Sequence, residues 1–307
     1  MSLVEIKNFT KEYRVGFLLK KTVAVNGLNL SIEDNEILGF LGPNGAGKTT
    51  TIKAILGIIT PTSGNITIYG NTPQDIRAKS KIGFLPEQPY FYDYLTGIEF
   101  LNFYGKLFGI ERGNLKKNIN SLLEEVGLER AGNTQLRKYS KGMLQRIGIA
   151  QALINDPDFV ILDEPMSGLD PIGRREIREI ITGLKKKGKT IFFSTHILTD
   201  VEMICDRVAI INRGKLIETG DISSLTGTED PKYDICVESP SSETLNAIKS
   251  ISETISIRGN CVYFSAGEKE RDEIIRNIVT KGGKIISITP VRKSLEQIFF
   301  SKIGNHS

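Results

Sequence analysis

The 307-residue sequence lacks the long hydrophobic runs, paired cysteines and apolar leader that would mark several classes of protein. No run approaches the roughly 18 to 20 consecutive apolar residues of a membrane-spanning helix. The N-terminus carries Glu5 and Lys7 where a signal peptide would be apolar, so we expect a cytosolic chain. The three cysteines, Cys205, Cys236 and Cys261, show no CxxC spacing, which disfavours a disulfide framework or a zinc cluster.

A strong excess of one charge is also missing. The net charge is +4, and the surplus falls within the first 228 residues, because acidic and basic residues balance from Glu229 onward. The one basic run, at residues 185–189, suits a helix C-terminus, where cations interact favourably with the helix dipole. Without a concentrated basic patch, we expect no nucleic-acid partner.

The pattern of apolar residues predicts an α/β fold followed by a smaller unit. Short apolar runs alternate with helical patterns up to about residue 220, which indicates a largely parallel buried sheet; the runs are GNITIYG, KIGFLPEQ, DFVILDEP, TIFFSTH and RVAIINRG. The opening segments alternate more like antiparallel strands. We predict a first domain at residues 1–225, a polar linker at 226–231, and a C-terminal α+β accessory domain at 232–307.

The strongest chemical signal is a glycine-rich segment between the apolar run EILGFL and a helical pattern. It fits GxxxxGK[ST], the P-loop, whose backbone N–H groups surround a phosphate chain at the start of a helix. The Lys48 side chain is expected to reach the β- and γ-phosphates of ATP, and the Thr49 hydroxyl to bind Mg²⁺. The predicted nucleotide-binding residues are Gly42, Pro43, Asn44, Gly45, Ala46, Gly47, Lys48, Thr49 and Thr50.

A second signal lies in FVILDEP, where a buried strand ends on two adjacent carboxylates. In open α/β sheets, ligands bind at the carboxyl ends of the strands. Asp163 therefore suits a role in holding Mg²⁺, and Glu164 a role in polarising the water that attacks the γ-phosphate. Two carboxylates at a strand end also occur in ordinary turns, but the upstream P-loop favours the catalytic interpretation.

Together with these two segments, the sequence elements YSKGMLQR, SGLD, Gln88 and His196 occur in an order that resembles the ATP-binding subunits of ABC (ATP-binding cassette) transporters. The resemblance covers about residues 3 to 225. It implies a P-loop nucleotide-binding domain with an antiparallel β subdomain and a helical subdomain. The YSKGM form resembles the branch of drug and antibiotic exporters, whose C-terminal extension closes with an element similar to SLEQIFF.

In this family, two copies pair head to tail and each ATP lies between the P-loop of one copy and the signature motif of the other. The resemblance carries this role to Ser140 and Gly142. The common LSGGQ motif has glycine and glutamine where this sequence has Lys141 and Met143, which affects the finer contacts. Asp170 is implied to connect the two composite sites. Ser140 and Asp170 also have plain interpretations as helix N-caps.

Three further residues take roles from the resemblance. His196 is implied to contact the γ-phosphate, and Gln88 to sense Mg²⁺ and the attacking water. Tyr13 matches the aromatic residue that stacks on adenine, although the segment between Tyr13 and Thr22 is longer than usual and either lengthens a hairpin or contacts a membrane partner.

An aromatic cluster follows Gln88, formed by Tyr90, Phe91, Tyr92 and Tyr94. Aromatic residues are enriched at protein interfaces, so one hypothesis is that this cluster receives a cytoplasmic helix of a membrane subunit. Packing between the α/β core and the helical subdomain explains the same residues equally well.

The resemblance implies an ATPase that powers a membrane exporter. Its partners would be a second copy of itself and separate transmembrane permease subunits, and it would lie at the cytoplasmic face of the membrane. A soluble ABC ATPase of ribosomes or DNA is disfavoured, because the chain has one P-loop and no long insertion before the signature. A regulatory subunit without turnover is disfavoured by the intact Lys48, Asp163, Glu164 and His196. A GTPase is disfavoured because NKxD is missing.

Overall fold

The computed structural model describes residues 2–15, 20–226, 232–252, 255–280, 283–291 and 295–298. The chain divides into two compact units, one spanning residues 1–222 and the other 223–305. Apart from Thr226, the predicted linker at 226–231 lies outside the described residues. Within the described parts of the chain, no helix has both the length and the apolar character needed to cross a membrane.

The first unit alternates strands and helices through most of its length. In chain order, the elements are β1 (Ser2–Val15), β2 (Lys20–Glu33), β3 (Ile37–Leu41), α1 (Lys48–Ile55), β4 (Ser63–Ile68), α2 (Ile76–Lys79), β5 (Ile82–Leu85), α3 (Gly97–Leu107), α4 (Arg112–Glu125), a 3₁₀ turn (Leu136–Lys138), α5 (Lys141–Ala152), β6 (Phe159–Asp163), α6 (Pro171–Lys186), β7 (Thr190–Thr195), α7 (Leu198–Ile204), β8 (Arg207–Asn212), β9 (Lys215–Asp221) and α8 (Ile222–Thr226), the last crossing into the second unit.

The core sheet of the first unit has six strands in the order β5-β6-β7-β3-β8-β9. All neighbouring pairs are parallel except β8 and β9. Every residue of β3, β6 and β7 is buried, as expected for strands of a parallel sheet that is covered on both faces. The carboxyl ends of these three strands share one edge of the sheet, and the predicted site residues follow them.

A separate antiparallel sheet has the order β2-β1-β4. The prediction that GNITIYG joins the parallel sheet is therefore wrong, because β4 pairs antiparallel with β1. Its buried residues Ile66 and Ile68 alternate with the half-buried Thr67, a pattern typical of a sheet with one covered face. The last pairs of the β1–β2 hairpin are Tyr13 with Thr22 and Val15 with Lys20, so the long connection extends the hairpin, while residues 16–19 lie outside the described residues.

Helices α3, α4 and α5 pack against one another and confirm the predicted helical subdomain. A capping box fixes the start of α3, since Thr96 accepts a hydrogen bond from Glu99 N while the Glu99 carboxylate accepts one from Thr96 N. Helix α1 ends at Ile55, because Gly57 adopts a φ of 65° and closes its last turn.

The second unit is an α+β fold with β10 (Lys232–Glu238), α9 (Ser242–Ile251), β11 (Ile255–Arg258), β12 (Cys261–Gly267), α10 (Glu268–Thr280) and β13 (Lys284–Val291). Its four strands form an antiparallel sheet in the order β11-β12-β10-β13. The core contains Ile235, Val237 and Phe264 of the sheet with Ile248 and Ile274 of the helices. Of the closing SLEQIFF segment, residues 295–298 are described.

Candidate functional site

The P-loop connects β3 to α1 at the carboxyl edge of the core sheet. Gly42 N donates a 3.1 Å hydrogen bond to the Thr195 carbonyl, which fixes the start of the loop against β7. Gly47 precedes α1 with a φ of 109°, and a side chain there would approach the Ala24 carbonyl to 2.8 Å. Only glycine fits this position, both for its backbone angle and for the space around it.

Lys48 is held inside the loop that precedes it. Its ammonium donates hydrogen bonds to the Gly42 carbonyl at 2.7 Å and to the Pro43 carbonyl at 3.2 Å. It also lies 3.1 Å from Glu164 Oε1, and both side chains are only 6% exposed. The contact with Glu164 is an ion pair without hydrogen-bond geometry, so this carboxylate oxygen keeps its capacity to accept a hydrogen bond.

Strand β6 ends on Asp163 and places Glu164 in the following turn. Glu164 has a φ of 50°, in the left-handed region that residues other than glycine rarely adopt. Such a conformation costs on the order of 1–3 kcal/mol and persists only where surrounding contacts hold it. The structure therefore stores strain at the residue predicted to orient the attacking water.

Ser194 bridges the two adjacent acidic residues from the neighbouring strand β7. Its hydroxyl donates to Asp163 Oδ1 at 2.5 Å and accepts from Glu164 N at 2.9 Å, with all three residues buried. This pair of bonds holds the Glu164 backbone in its strained turn. The sequence analysis did not identify Ser194. The feature that could have indicated it is a hydroxyl residue directly after the apolar residues 191–193 of a buried strand.

His196 follows β7 and reaches Glu164 from the side opposite Lys48. Its Nδ1 lies 2.9 Å from Glu164 Oε2, and its side chain is 42% exposed. The Glu164 carboxylate thus has a cation at one oxygen and an imidazole at the other. Four of the predicted residues, Lys48, Asp163, Glu164 and His196, meet at this point.

The pKa of Asp163 is raised above its ordinary value, chiefly because burial disfavours the charged form. Hydrogen bonds from Ser194 and Thr49 oppose the increase, the nearby Glu164 charge adds to it, and the Lys48 charge lowers it. A cation bound next to this buried carboxyl would therefore favour its ionised form.

A cavity of about 320 Å³ opens over the P-loop and is lined by Asn44, Gly45, Lys48, Thr50 and Glu164 among others. Its lining also includes Ala24 and Glu87, neither of which was predicted. A neighbouring cavity of about 380 Å³ contains Gln88 together with Thr49 and Asp163. The structure therefore brings Gln88 near the predicted metal-binding residues.

The remaining predicted residues lie apart from this cavity. Ser140 is exposed at the start of α5, where its hydroxyl accepts from Met143 N at 3.3 Å, and Gly142 lies in the first turn of that helix. Asp170 is exposed at the start of α6 and accepts from Gly173 N at 2.9 Å, with Pro171 in the first turn. Ser140 and Asp170 are therefore both N-cap residues of their helices.

Two residues outside the cavity have contacts of their own. Tyr13 is half-buried in the β1–β2 hairpin with Lys11 Nζ 5.3 Å from its ring centre, and it is not among the described residues that line the cavity. Lys141 extends from α5 to the SGLD loop, where a Cβ added at Gly168 would lie 2.0 Å from its ammonium nitrogen. Lys141 thus links the signature segment to SGLD within one chain.

The aromatic cluster combines packed and exposed rings. Phe91 packs on the buried Phe100, with ring centres 5.5 Å apart, and Tyr92 packs edge-on against Phe103 at 5.4 Å. Tyr90 and Tyr94 are 81% and 63% exposed. Both outer tyrosines contact Tyr92, with ring centres 5.7 and 6.2 Å away, but most of their surface stays open to solvent.

Comparison with known proteins places this geometry in a family. Residues 25–167 match the family described as ABC transporter. An ABC transporter ATP-binding protein of Synechocystis sp. is 42% identical and aligns over 98% of this chain and 85% of its own length. The bacitracin transport ATP-binding protein of Bacillus licheniformis is 38% identical over 92% of each chain.

Among solved structures, a dimeric ATP-binding cassette in a post-hydrolysis state with ADP and Pi aligns with a TM-score of 0.64 and 27% identity. The alignment covers 71% of this chain and 98% of that cassette. With Lys48, Glu164 and His196 in contact at the carboxyl edge of the core sheet, these relationships identify the chain as a member of the ABC transporter family, an ATP-binding subunit that hydrolyses ATP.

Proposed function

We propose that the chain is the ATP-driven motor of a membrane exporter. The single observation that carries the site assignment is the contact of Glu164 with Lys48 at one carboxylate oxygen and with His196 at the other. The same carboxylate lies beside a P-loop cavity large enough for a phosphate chain. The bacitracin transport relative supports bacitracin as the first cargo to test.

Magnesium fits the residues at this site. Thr49 supplies a hydroxyl and Asp163 a carboxylate, the hard oxygen donors that Mg²⁺ prefers, and both side chains line the same cavity. Among the described residues, no group of three or more His, Cys, Asp or Glu side chains could hold a metal by itself. This is consistent with an ion that shares its coordination with phosphate oxygens and water, where it would neutralise charge developing on the phosphates.

The chain's own residues divide the remaining chemistry. Lys48 binds the terminal phosphates and stabilises charge that develops on them. Glu164 accepts a hydrogen bond from the attacking water and aligns it with the γ-phosphate, and His196 contacts that phosphate while its Nδ1 stays on Glu164. Gln88 is close enough to Thr49 and Asp163 to sense the metal and the water. Tyr13 lies in the β1–β2 hairpin outside the described lining of the cavity, and we propose from the family resemblance that it stacks on the adenine.

A second copy completes the site. Ser140 and Asp170 are exposed at helix starts and do not line the P-loop cavity within the described chain, which supports their contribution to the site of a partner in a head-to-tail homodimer. The amide groups and positive dipole end of α5 then face the partner's γ-phosphate. Lys141 replaces a small residue at this surface and adds a positive charge.

The permease subunits are the second class of partner, and through them the chain would lie at the cytoplasmic face of the membrane. The exposed Tyr94 lines a groove of about 370 Å³ together with Tyr92, Phe103 and Glu99, and the exposed Tyr90 contacts Tyr92 next to it. Flat aromatic surface that stays exposed suits a helix from a membrane subunit. The accessory domain at 232–307 is proposed to stabilise the dimer or to regulate it.

The function is tested by co-expressing the chain with a candidate permease and measuring ATP-dependent uptake of labelled bacitracin into inside-out vesicles. The proposal predicts uptake with the wild-type chain and none with Lys48→Ala. If no permease co-purifies and no membrane protein changes the ATPase rate, export is wrong and the soluble or regulatory ABC alternatives gain support.

A further inference from the structure

Asp200 joins helices α6 and α7 through two ion pairs. It lies on α7, four positions after His196, and is fully buried. Its Oδ2 accepts a hydrogen bond from Arg174 Nη2 at 2.7 Å, and its Oδ1 accepts one from Arg178 Nη1 at 2.9 Å. Both arginines lie on α6, so one carboxylate connects α6 with α7.

This arrangement fixes geometry more than it adds stability. A buried carboxylate loses its hydration, and two charge-assisted hydrogen bonds compensate for that loss only in well-formed geometry. The two arginine side chains remain 25% and 20% exposed, whereas the carboxylate is fully buried and Arg174 Nε is buried without a hydrogen-bond partner. The position of Asp200 is consequently tied to α6.

Besides Asp200, the start of helix α7 is held by a 3.1 Å hydrogen bond from Ile197 N to Thr195 Oγ1 and by the buried Val201. Its N-cap residue, Ile197, makes no side-chain capping bond, and a helix of seven residues is marginal without tertiary contacts. Farther along, Val201 and Cys205 pack close to Gly39 of β3. Asp200 is thus the polar anchor of the first turn, next to the segment that carries His196.

His196 needs such an anchor because its ring is 42% exposed. Packing around the imidazole cannot by itself hold Nδ1 at 2.9 Å from Glu164. The backbone on either side must do so, with β7 before the ring and α7 after it. The anchor at Asp200 fixes the second of these.

The other end of the network lies at the start of α6. Arg174 N donates to the Asp170 carbonyl at 3.0 Å, so Arg174 belongs to the turn that Asp170 opens. A continuous set of bonds therefore runs from Asp170 through Arg174 and Asp200 to the His196 segment.

We propose that Asp200 is a positioning residue for ATP hydrolysis, which holds His196 against Glu164 by fixing α7 on α6 through Arg174 and Arg178. The inference rests on the ATPase reaction of the proposed function and not on export. Asp200 therefore affects turnover and not nucleotide binding. The P-loop binds nucleotide without Asp200, whereas the alignment of His196 with Glu164 requires it.

The test compares Asp200→Asn with a matched control, Asp206→Asn. Asp206 also bonds to α6, through Lys185, and accepts from Ile37 N at 2.8 Å, but it follows the far end of α7. We expect Asp200→Asn to lower kcat about tenfold with KM for ATP within about twofold, and Asp206→Asn to leave both near wild type. Arg178→Gln, which leaves Arg174 on Asp200, is expected to lower kcat in the same direction and serves if Asp200→Asn folds poorly.

Two readouts separate positioning from general destabilisation. In a His196→Ala background, Asp200→Asn should change kcat by less than about twofold, because its effect passes through the missing ring. The ¹⁵N resonance of His196 Nδ1 should shift in Asp200→Asn and not in Asp206→Asn, and with only two histidines in the chain His306→Gln gives the assignment.

An equal loss of kcat in the His196→Ala background would overturn the inference, as would an unshifted Nδ1 resonance in folded Asp200→Asn. These measurements use the full chain without a permease. A chain that hydrolyses ATP with these effects but supports no export would contradict the exporter proposal and leave the role of Asp200 intact.

Discussion

Ser194 Oγ donates a 2.5 Å hydrogen bond to Asp163 Oδ1, which joins the ends of β6 and β7 at the proposed catalytic site. The same hydroxyl accepts from Glu164 N, so one side chain orients both acidic residues. This hydroxyl is neither a predicted ligand nor a predicted catalyst, and its role follows from its contacts alone.

Ser194→Ala is expected to reduce turnover more than binding. It leaves a buried amide and a buried carboxylate oxygen short of a partner, at a cost of about 1–3 kcal/mol, and frees Glu164 to relax from its strained turn. We expect kcat for ATP to fall about tenfold or more. The matched control is Thr190→Val at the other end of β7, which also removes a buried hydroxyl with two hydrogen bonds, to Asn35 N and Asp34. Equal kcat losses in both variants would contradict the account.

Asp163→Asn is expected to stabilise the protein while it abolishes metal-dependent hydrolysis. A carboxyl whose pKa is raised on folding binds more protons in the native state, so its ionised form lowers the free energy of unfolding. This cost is absent below the ordinary pKa of aspartate and complete above the raised pKa. We expect Asp163→Asn to raise Tm by about 2 °C or more at neutral pH, and by less as the pH falls toward that ordinary value.

The measurement is calorimetry without nucleotide or magnesium across a pH series. Asp158→Asn is the control, because Asp158 is 59% exposed and pairs with Lys81 at the surface. A lower Tm for Asp163→Asn at neutral pH would show that the contacts of the ionised carboxylate stabilise the fold by more than its burial costs, which would contradict the prediction.

The sequence predicts the parts of the site that depend on local chain geometry. The P-loop, Asp163, Glu164 and His196 each follow a buried strand or precede a helix, and that local context places them at one edge of the sheet. The φ of Glu164 and its hydrogen bond to Ser194 depend on a strand 30 residues away, so no local pattern could reveal them. The wrong sheet for β4 has the same origin, because a six-residue apolar run does not specify its partner strand.

Gly168→Ala tests the contact between the SGLD loop and Lys141. Gly168 has a φ of 66°, and an added Cβ would meet the Lys141 ammonium. We expect a loss of about 1 kcal/mol in the free energy of unfolding from the backbone angle, together with displacement of Lys141. Gly183→Ala within α6 is the control, since no atom lies within 4 Å of its added Cβ and it should stabilise slightly.

Adding Lys141→Ala to Gly168→Ala separates the two effects in urea denaturation. The backbone cost should remain in the double variant, whereas any steric cost should disappear. A full recovery of stability would mean that the left-handed angle carries no penalty here.

Replacing the outer tyrosines tests the proposed permease contact. Because Tyr90 and Tyr94 are exposed, Tyr90→Ser with Tyr94→Ser should leave the stability and ATPase rate of the isolated chain within about 0.5 kcal/mol and twofold of wild type. In the permease complex, the double variant should hydrolyse ATP without driving transport. Tyr263→Ser, an exposed tyrosine of the second unit, is the control. If ATP hydrolysis stays coupled to transport in the double variant, the aromatic cluster serves internal packing only.

The most direct test of the central claim is ATP hydrolysis by Glu164→Gln. Glutamine keeps the shape of the side chain but removes the charge that Lys48 and His196 contact. We predict that the variant binds MgATP, forms a dimer detectable by light scattering, and loses about 100-fold or more in kcat, while Glu179→Gln, at a surface ion pair with Arg175, hydrolyses normally. Near-normal hydrolysis by Glu164→Gln would contradict the account.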